Sequence, residues 1–217
     1  MQEQILSSRS WRIRRQIAQT AIRLHREIGF KKTTVADIAR GASMSPANVY
    51  RFFPSKQAIE EAVAADLFEQ VSAAATLAAR GSGSVLERLR AALRAISQLH
   101  DNRLANDSKL HELLAATVRE KRPIALSHAD RIRGVVRSII AAGQASGEVR
   151  PGCPMALTCC LLEAMDAYLS PSRINAAAVR PTFDEMMDFC AGALRPVAWG
   201  RSMDIGAELR PTAVTQR

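Results

Sequence analysis

Between Thr34 and Lys56 the chain sets out hydroxyls, an amide, a phenol and two cations at spacings that suit a phosphate backbone. Thr34-Val35-Ala36-Asp37 has the form of a capping box, and Ser45-Pro46 puts a capping hydroxyl before a proline suited to the first helical position. A helix opened this way leaves backbone N–H groups without intrahelical acceptors, and such groups suit a phosphate. Tyr50 follows Pro46 by four residues, so its hydroxyl shares the exposed face, unless the ring packs as an ordinary buried aromatic. Lys56 opens a further helix and offers a point charge. Thr34, Ser45, Tyr50 and Lys56 are thus candidates for phosphate contact. Ala47, Asn48 and Arg51 are candidates for base edges: arginine suits guanine, asparagine adenine, and a methyl group meets that of thymine. For Arg51 a phosphate contact or a solvated charge stays equally open. Val49 and Phe53, four apart, are expected to face inward.

The charge of the chain favours the same stretch. The net charge is +9, and residues 1–60 hold eleven basic side chains against four acidic ones, a net of +7. A positive field at one end suits a polyanion, because neutralised phosphates release counterions; a solvated basic face serving solubility is the plain alternative. Enzyme chemistry is not expected, since there is no nucleophile–base pair, phosphate-cradling glycine loop or metal cluster. His100, Asp101 and His111 match no ligand spacing, so no metal or cofactor is expected. Cys153, Cys159, Cys160 and Cys190 show no CxxC pattern and are read as reduced, packed small hydrophobes. Residues 1–10 lack an apolar leader core, and no apolar run approaches the ~20 residues of a membrane span, so a soluble cytoplasmic protein without membrane partners is expected.

The elements that must position these residues are helical throughout. Abundant alanine and leucine, with few aromatics and few β-branched runs, argue against sheet. Ile13, Ile17, Ala21, Leu24 and Ile28 form one stripe of a first helix over about residues 6–28, which Gly29 ends; His25 sits at its edge as a packed residue. Two short helices follow, the second over 46–53, and Ser55 caps a long helix carrying Ile59, Val63, Leu67, Phe68 and Val71. Two short helices joined by a tight turn outline a helix-turn-helix. After Gly81-Ser82-Gly83, a capping box at Ser84 and Glu87 opens a helix with Leu86, Leu89, Leu93 and Ile96. Further helices are expected over 107–121, 124–145, 155–169 and 181–194, and residues 196–217 read as a loose tail.

From Ile28 to Lys56 the sequence resembles the N-terminal domain of TetR/AcrR-family regulators. The resemblance rests on Gly29-Phe30, Thr33-Thr34-Val35, Asp37-Ile38-Ala39, Ala42, Ser45, Tyr50, Phe53 and Ser55-Lys56. It is strong over about residues 12–70; beyond that only the layout matches, including Gly147-Glu148-Val149-Arg150-Pro151-Gly152 before the last two helices. Two departures stand out: Ser43 occupies the turn where the family usually has glycine, and Ala47 stands where glycine is frequent. The resemblance implies an all-α protein: a three-helix DNA-binding domain (1–54) followed by a larger helical domain (55–195) for effector binding and dimerisation. It assigns phosphate roles to Thr34, Ser45, Tyr50 and Lys56, and implies a palindromic double-stranded operator.

The family's dimers pair through their last two helices, which here would use Leu161, Leu162, Met165, Met186, Met187 and Phe189, although each helix must also cover its own domain. An effector pocket would draw on Leu86, Leu89, Leu93, Leu113, Leu114, Val118, Val135 and Ile139. That lining is aliphatic and implies a small, mostly apolar effector that releases a repressor. A DNA-binding regulator answering to a protein partner is the alternative.

Overall fold

A computed structural model describes residues 2–174 and 179–196, with the side chains of residues 2–8 outside the description; of the expected tail only Pro196 is within it. Every described element is a helix: α1 (Gln2–Ile28), α2 (Val35–Gly41), α3 (Pro46–Tyr50), α4 (Lys56–Ala79), α5 (Val85–Asn106), α6 (Ser108–Arg119), α7 (Pro123–Ser146), α8 (Pro154–Leu169) and α9 (Phe183–Leu194). The expected starts fall where capping chemistry puts them. Thr34 and Ser84 form complete capping boxes with Asp37 and Glu87, and Ser45 and Ser55 cap α3 and α4. α7 ends on Gly147 at φ 77°. α9 opens two residues later than Pro181 suggests, because Thr182 with Glu185 forms a third capping box and sets the start at Phe183.

Two cores result, and α4 belongs to both. The first collects Ile17 and Ala21 of α1, Val35 and Ile38 of α2, Val49, Phe53, and Ile59 to Phe68 of α4. Leu110, Leu113 and Leu114 of α6 close it. The second collects Val71, Ala75 and Ala79 of α4 with α5, α7, α8 and α9. Arg90 and Arg94 of α5 hold Asp184 and Asp188 of α9, which fixes α9 across the end of this core. The α1 stripe is buried at Ile17 and Ala21, but Ile28 is exposed, since the chain turns away at Gly29 (φ 86°).

The turn between α2 and α3 decides how α3 is presented. Ser43 has φ 56°; its N–H donates to Arg40 O (3.1 Å), and the Met44 N–H reaches back to Ala39 O (2.8 Å). This is the paired 5→2 and 6→1 bonding that ends helices on a left-handed residue, normally glycine. Serine holds that conformation at a cost of roughly 1–2 kcal/mol, partly offset by the lower chain entropy of a non-glycine residue. Ser43→Gly should therefore raise stability by about 0.5–1 kcal/mol with no change in helix content. Urea denaturation of both proteins checks this, and a less stable variant would show that the neighbours remove the strain.

Candidate nucleic-acid interface

α2 and α3 present the residues expected to meet DNA. Val49 is fully buried and Phe53 is 1 % exposed, so α3 is pinned by one face and turns the other outward. On that outward face Ala47 and Arg51 are exposed, Asn48 is half-buried and the Tyr50 ring is 51 % exposed, not packed. The Ser45 hydroxyl accepts from Asn48 N–H (3.2 Å) and keeps its own O–H to donate. Arg14 braces the end of α3 from behind: its guanidinium lies 4.3 Å from the Phe53 ring centroid and donates to Phe52 O.

The two other phosphate candidates are already engaged. Thr34 donates its hydroxyl to Asp37 Oδ2 (2.6 Å) and accepts from Asp37 N–H (3.1 Å), so a phosphate there competes with a carboxylate. The Thr34 hydroxyl bond, with the Thr34 N–H that also donates to Asp37 Oδ2 (3.1 Å), holds the Asp37 carboxyl below the usual range. Lys56 is half-buried; its Nζ donates to Lys31 O (3.3 Å) and stands 3.7 Å from Glu60 Oε1. Glu60, 6 % exposed, accepts from Arg122 Nη1 (3.0 Å), the residue capping α7. The cation beside the reading head is thus tied through a buried carboxylate to the first turn of α7. Arg40 and Lys32 lie exposed on the same unit, and sequence reasoning counted their charge without giving them a place.

His25 props the loop that supplies Lys31 O. It is fully buried, with Nδ1 3.2 Å from Thr33 Oγ1, whose hydroxyl donates to Gly29 O (2.8 Å). Burial, with the Lys56 charge second, lowers its pKa to about 4, so it is neutral at pH 7.

The eight aliphatic pocket candidates do not meet in one cavity. Leu113 and Leu114 are fully buried in the first core, and Leu89, Leu93 and Ile139 are buried in the second, with Leu86 packed partly against it. Five of the eight are core because the stripe that would line a pocket is the stripe each helix needs to pack. Val118 alone of the eight borders a half-open cavity of about 250 Å³ among α5, α6, α7 and α8; Val135 borders a more open groove between α4 and α7. Sequence reasoning missed His128, Ile132 and Leu169, which line that cavity. Extending the α5 stripe past Ile96, which lines it, reaches the buried His100 and Arg103.

The pairing candidates divide in the same way. Leu161, Met165 and Met187 are buried within the subunit, Leu162 and Met186 are half-buried, and Phe189 is 73 % exposed. The outward faces of α8 and α9 instead carry Cys160, Ala164, Phe189 and Ala193, around a shallow groove of about 150 Å³. The cysteine expectation is corrected with them: Cys190 is buried, but Cys153, Cys159 and Cys160 are exposed, because one face of α8 is not covered by its own subunit. No group of histidine, cysteine and acidic side chains able to hold a metal occurs among the described residues, and no described helix is long and apolar enough to cross a membrane.

Comparison with known proteins follows this architecture. The family model for bacterial regulatory proteins of the tetR family matches residues 17–63, and that for a tetracyclin repressor-like C-terminal domain matches 86–188. No curated protein matches the sequence. Among solved structures the chain is similar to RolR in complex with resorcinol (18 % identity, 88 % of this chain and 92 % of that one, TM-score 0.65). It is also similar to a TetR/AcrR-family regulator from Thermobifida fusca (23 %, 82 % and 94 %, TM-score 0.60). A third is AibR in complex with isovaleryl coenzyme A and operator DNA (18 %, 85 % and 98 %, TM-score 0.53).

Proposed function

Because the chain belongs to the tetR family of bacterial regulatory proteins, we propose that it is a homodimeric repressor that a small effector releases from a palindromic operator. That it is a DNA-binding transcriptional regulator follows from the family. The finer reading is carried by one observation: α3 is anchored by Val49 and Phe53 and presents Ala47, Asn48, Tyr50 and Arg51 outward from a strongly basic unit. In this reading residues 1–54 are the DNA-reading unit and 55–195 the effector-binding and dimerisation unit. Thr34, Ser45, Tyr50 and Lys56 hold phosphates, and Ala47, Asn48 and Arg51 read bases.

A helix as short as α3 spans only a few base pairs, so two copies are needed to pick a site from a genome. Two-fold pairing makes the site palindromic. The uncovered apolar faces of α8 and α9 are the pairing surface. Phe189→Asp should convert the dimer to a monomer in light scattering at micromolar concentration while leaving the helical circular-dichroism signal unchanged. Met187→Asp, in the core, should lower helix content instead. A Phe189→Asp protein that stays dimeric would move the interface elsewhere.

Release by an effector needs differential affinity for two arrangements of the reading heads. RolR with resorcinol and AibR with isovaleryl coenzyme A support a small-molecule effector. The dense packing of Leu89, Leu93, Leu113 and Leu114 favours the second reading, a protein partner as the signal. Operator binding measured across a panel of hydrophobic metabolites decides between them, since a protein-controlled regulator would answer to none.

A further inference from the structure

Most buried polar groups in proteins have hydrogen-bond partners, and the exceptions ask for an explanation. Among the described residues four of five such atoms gather in one place, the fifth being His25 Nε2. Both ring nitrogens of His100, the Nδ1 of His111 and the Nη1 of Arg103 have no partner, and these residues are 0 %, 4 % and 8 % exposed. His100 and His111 meet edge to face with centroids 6.5 Å apart, and the charges of Arg103, His128 and His111 all act on His100.

Arg103 carries the fixed positive charge of the group. It makes one hydrogen bond, from Nη2 to Gln70 Oε1 (3.3 Å), and no ion pair among the described residues. The carboxylate that acts on it, Asp107, is held by Arg26 (2.8 Å). A buried guanidinium is expensive without an anion. Ordered water can pair an imidazole nitrogen, but it supplies no counter-charge.

The cluster lies behind the wall of the half-open pocket and is not itself part of its lining. His128 and Pro171 line that pocket, and they are the neighbours through which it adjoins His100 and His111. Ile96, one turn before His100, is also in the lining, and with Ile132, Leu162 and Leu169 it makes the wall mostly apolar. At about 250 Å³ it has the room of roughly eight water molecules at ~30 Å³ each. Its acids do not compete for the cluster: Glu163 is solvent-exposed, and Asp166 is paired with Arg173 (3.3 Å).

We propose that the effector is a small amphipathic carboxylate whose apolar body fills the pocket and whose head group reaches past the His128–Pro171 side of its wall to Arg103 and His100, with His111 beside it. This rests on the small-effector reading above and replaces its mostly apolar ligand with one that carries a charge. The carboxylate oxygens accept from Arg103 Nη1 and from a His100 N–H, the strong charge-assisted class of bond. Ile96, Ile132, Leu162 and Leu169 cover the body.

The full-length protein should be titrated calorimetrically with octanoate, benzoate and phenylacetate, and with octanol and benzyl alcohol as uncharged counterparts. The acids should bind at least tenfold more tightly than the alcohols. Arg103→Gln should reduce acid binding at least tenfold and leave alcohol binding unchanged; if that variant does not fold, the acid–alcohol comparison on the parent decides alone. Equal binding of acids and alcohols would overturn the head-group assignment while the small-effector reading stands. Failure of every acid to bind would also overturn it. The effector reading itself is scored separately, by whether any small molecule, acid or uncharged, releases the operator.

Discussion

Replacing Arg51 with alanine should weaken operator binding by roughly 30-fold to 20,000-fold. Each base-reading arginine is worth about 1–3 kcal/mol of discrimination. A two-fold dimer loses the contact twice, about 2–6 kcal/mol in all, and each 1.4 kcal/mol is a factor of ten. The exposed position of Arg51 past the pinned face of α3 motivates the expectation. The signature is selective: the loss should be large on the parent operator, small on non-specific DNA, and should disappear when one symmetric base pair is changed. Lys56→Ala should behave differently, weakening all sequences alike and lowering the salt slope by about one per subunit. Gel-shift titrations at several salt concentrations separate the two. An Arg51→Ala protein that loses affinity equally for all DNA would make Arg51 a phosphate contact.

The second large effect is acid lability well above the carboxylate range. Burial lowers His25 and His128 to about 4 and His100 to about 3, from an unfolded value of 6.5. In this window the unfolded chain binds more protons than the folded one. Stability is therefore fully present above pH 6.5 and falls as the pH drops toward 4. One fully shifted histidine contributes about 1.4 kcal/mol per pH unit, so three give about 2–4 kcal/mol per unit once solvent relaxation is allowed for. The raised carboxyls of Asp66 and Asp166 act in the opposite sense, and the lowered ones of Asp37, Glu87, Asp184 and Glu185 matter only nearer their own range. Urea denaturation at pH 7, 6 and 5 should show a steep decline, less steep by one proton in His128→Gln. A flat profile over this range would mean that these histidines are protonated in the folded protein.

The helices, those of the helix-turn-helix included, were legible because local chemistry fixes their starts. Capping hydroxyls at Thr34, Ser45, Ser55 and Ser84 sit where the helices start. Ser43 occupies a left-handed turn, as its place in the motif implied. What was not legible depends on how helices face one another. A stripe such as Leu86-Leu89-Leu93 says that a face is buried, but not whether it meets a neighbouring helix or a space, and here it packs. Met187 and Phe189 are two residues apart in an apolar helix, yet one is fully buried and the other is 73 % exposed. The Lys56–Glu60–Arg122 tie joins residues 62 and 66 positions apart in the chain and leaves no local trace.

The continuity of α4 across both cores bears on whether the DNA-reading half is portable. Leu110, Leu113, Leu114 and Ala125 seal a core made otherwise by α1 to α4, although they lie more than thirty residues beyond the end of α4. A fragment cut after α4 would expose three leucine-lined contacts and would carry the second-core face of Val71, Ala75 and Ala79 into water. The head is therefore not a detachable cartridge. A chimera that gives this chain another regulator's reading head has to bring that head's α6 surface with it, or rebuild the Leu110–Leu113–Leu114 seam to fit the newcomer.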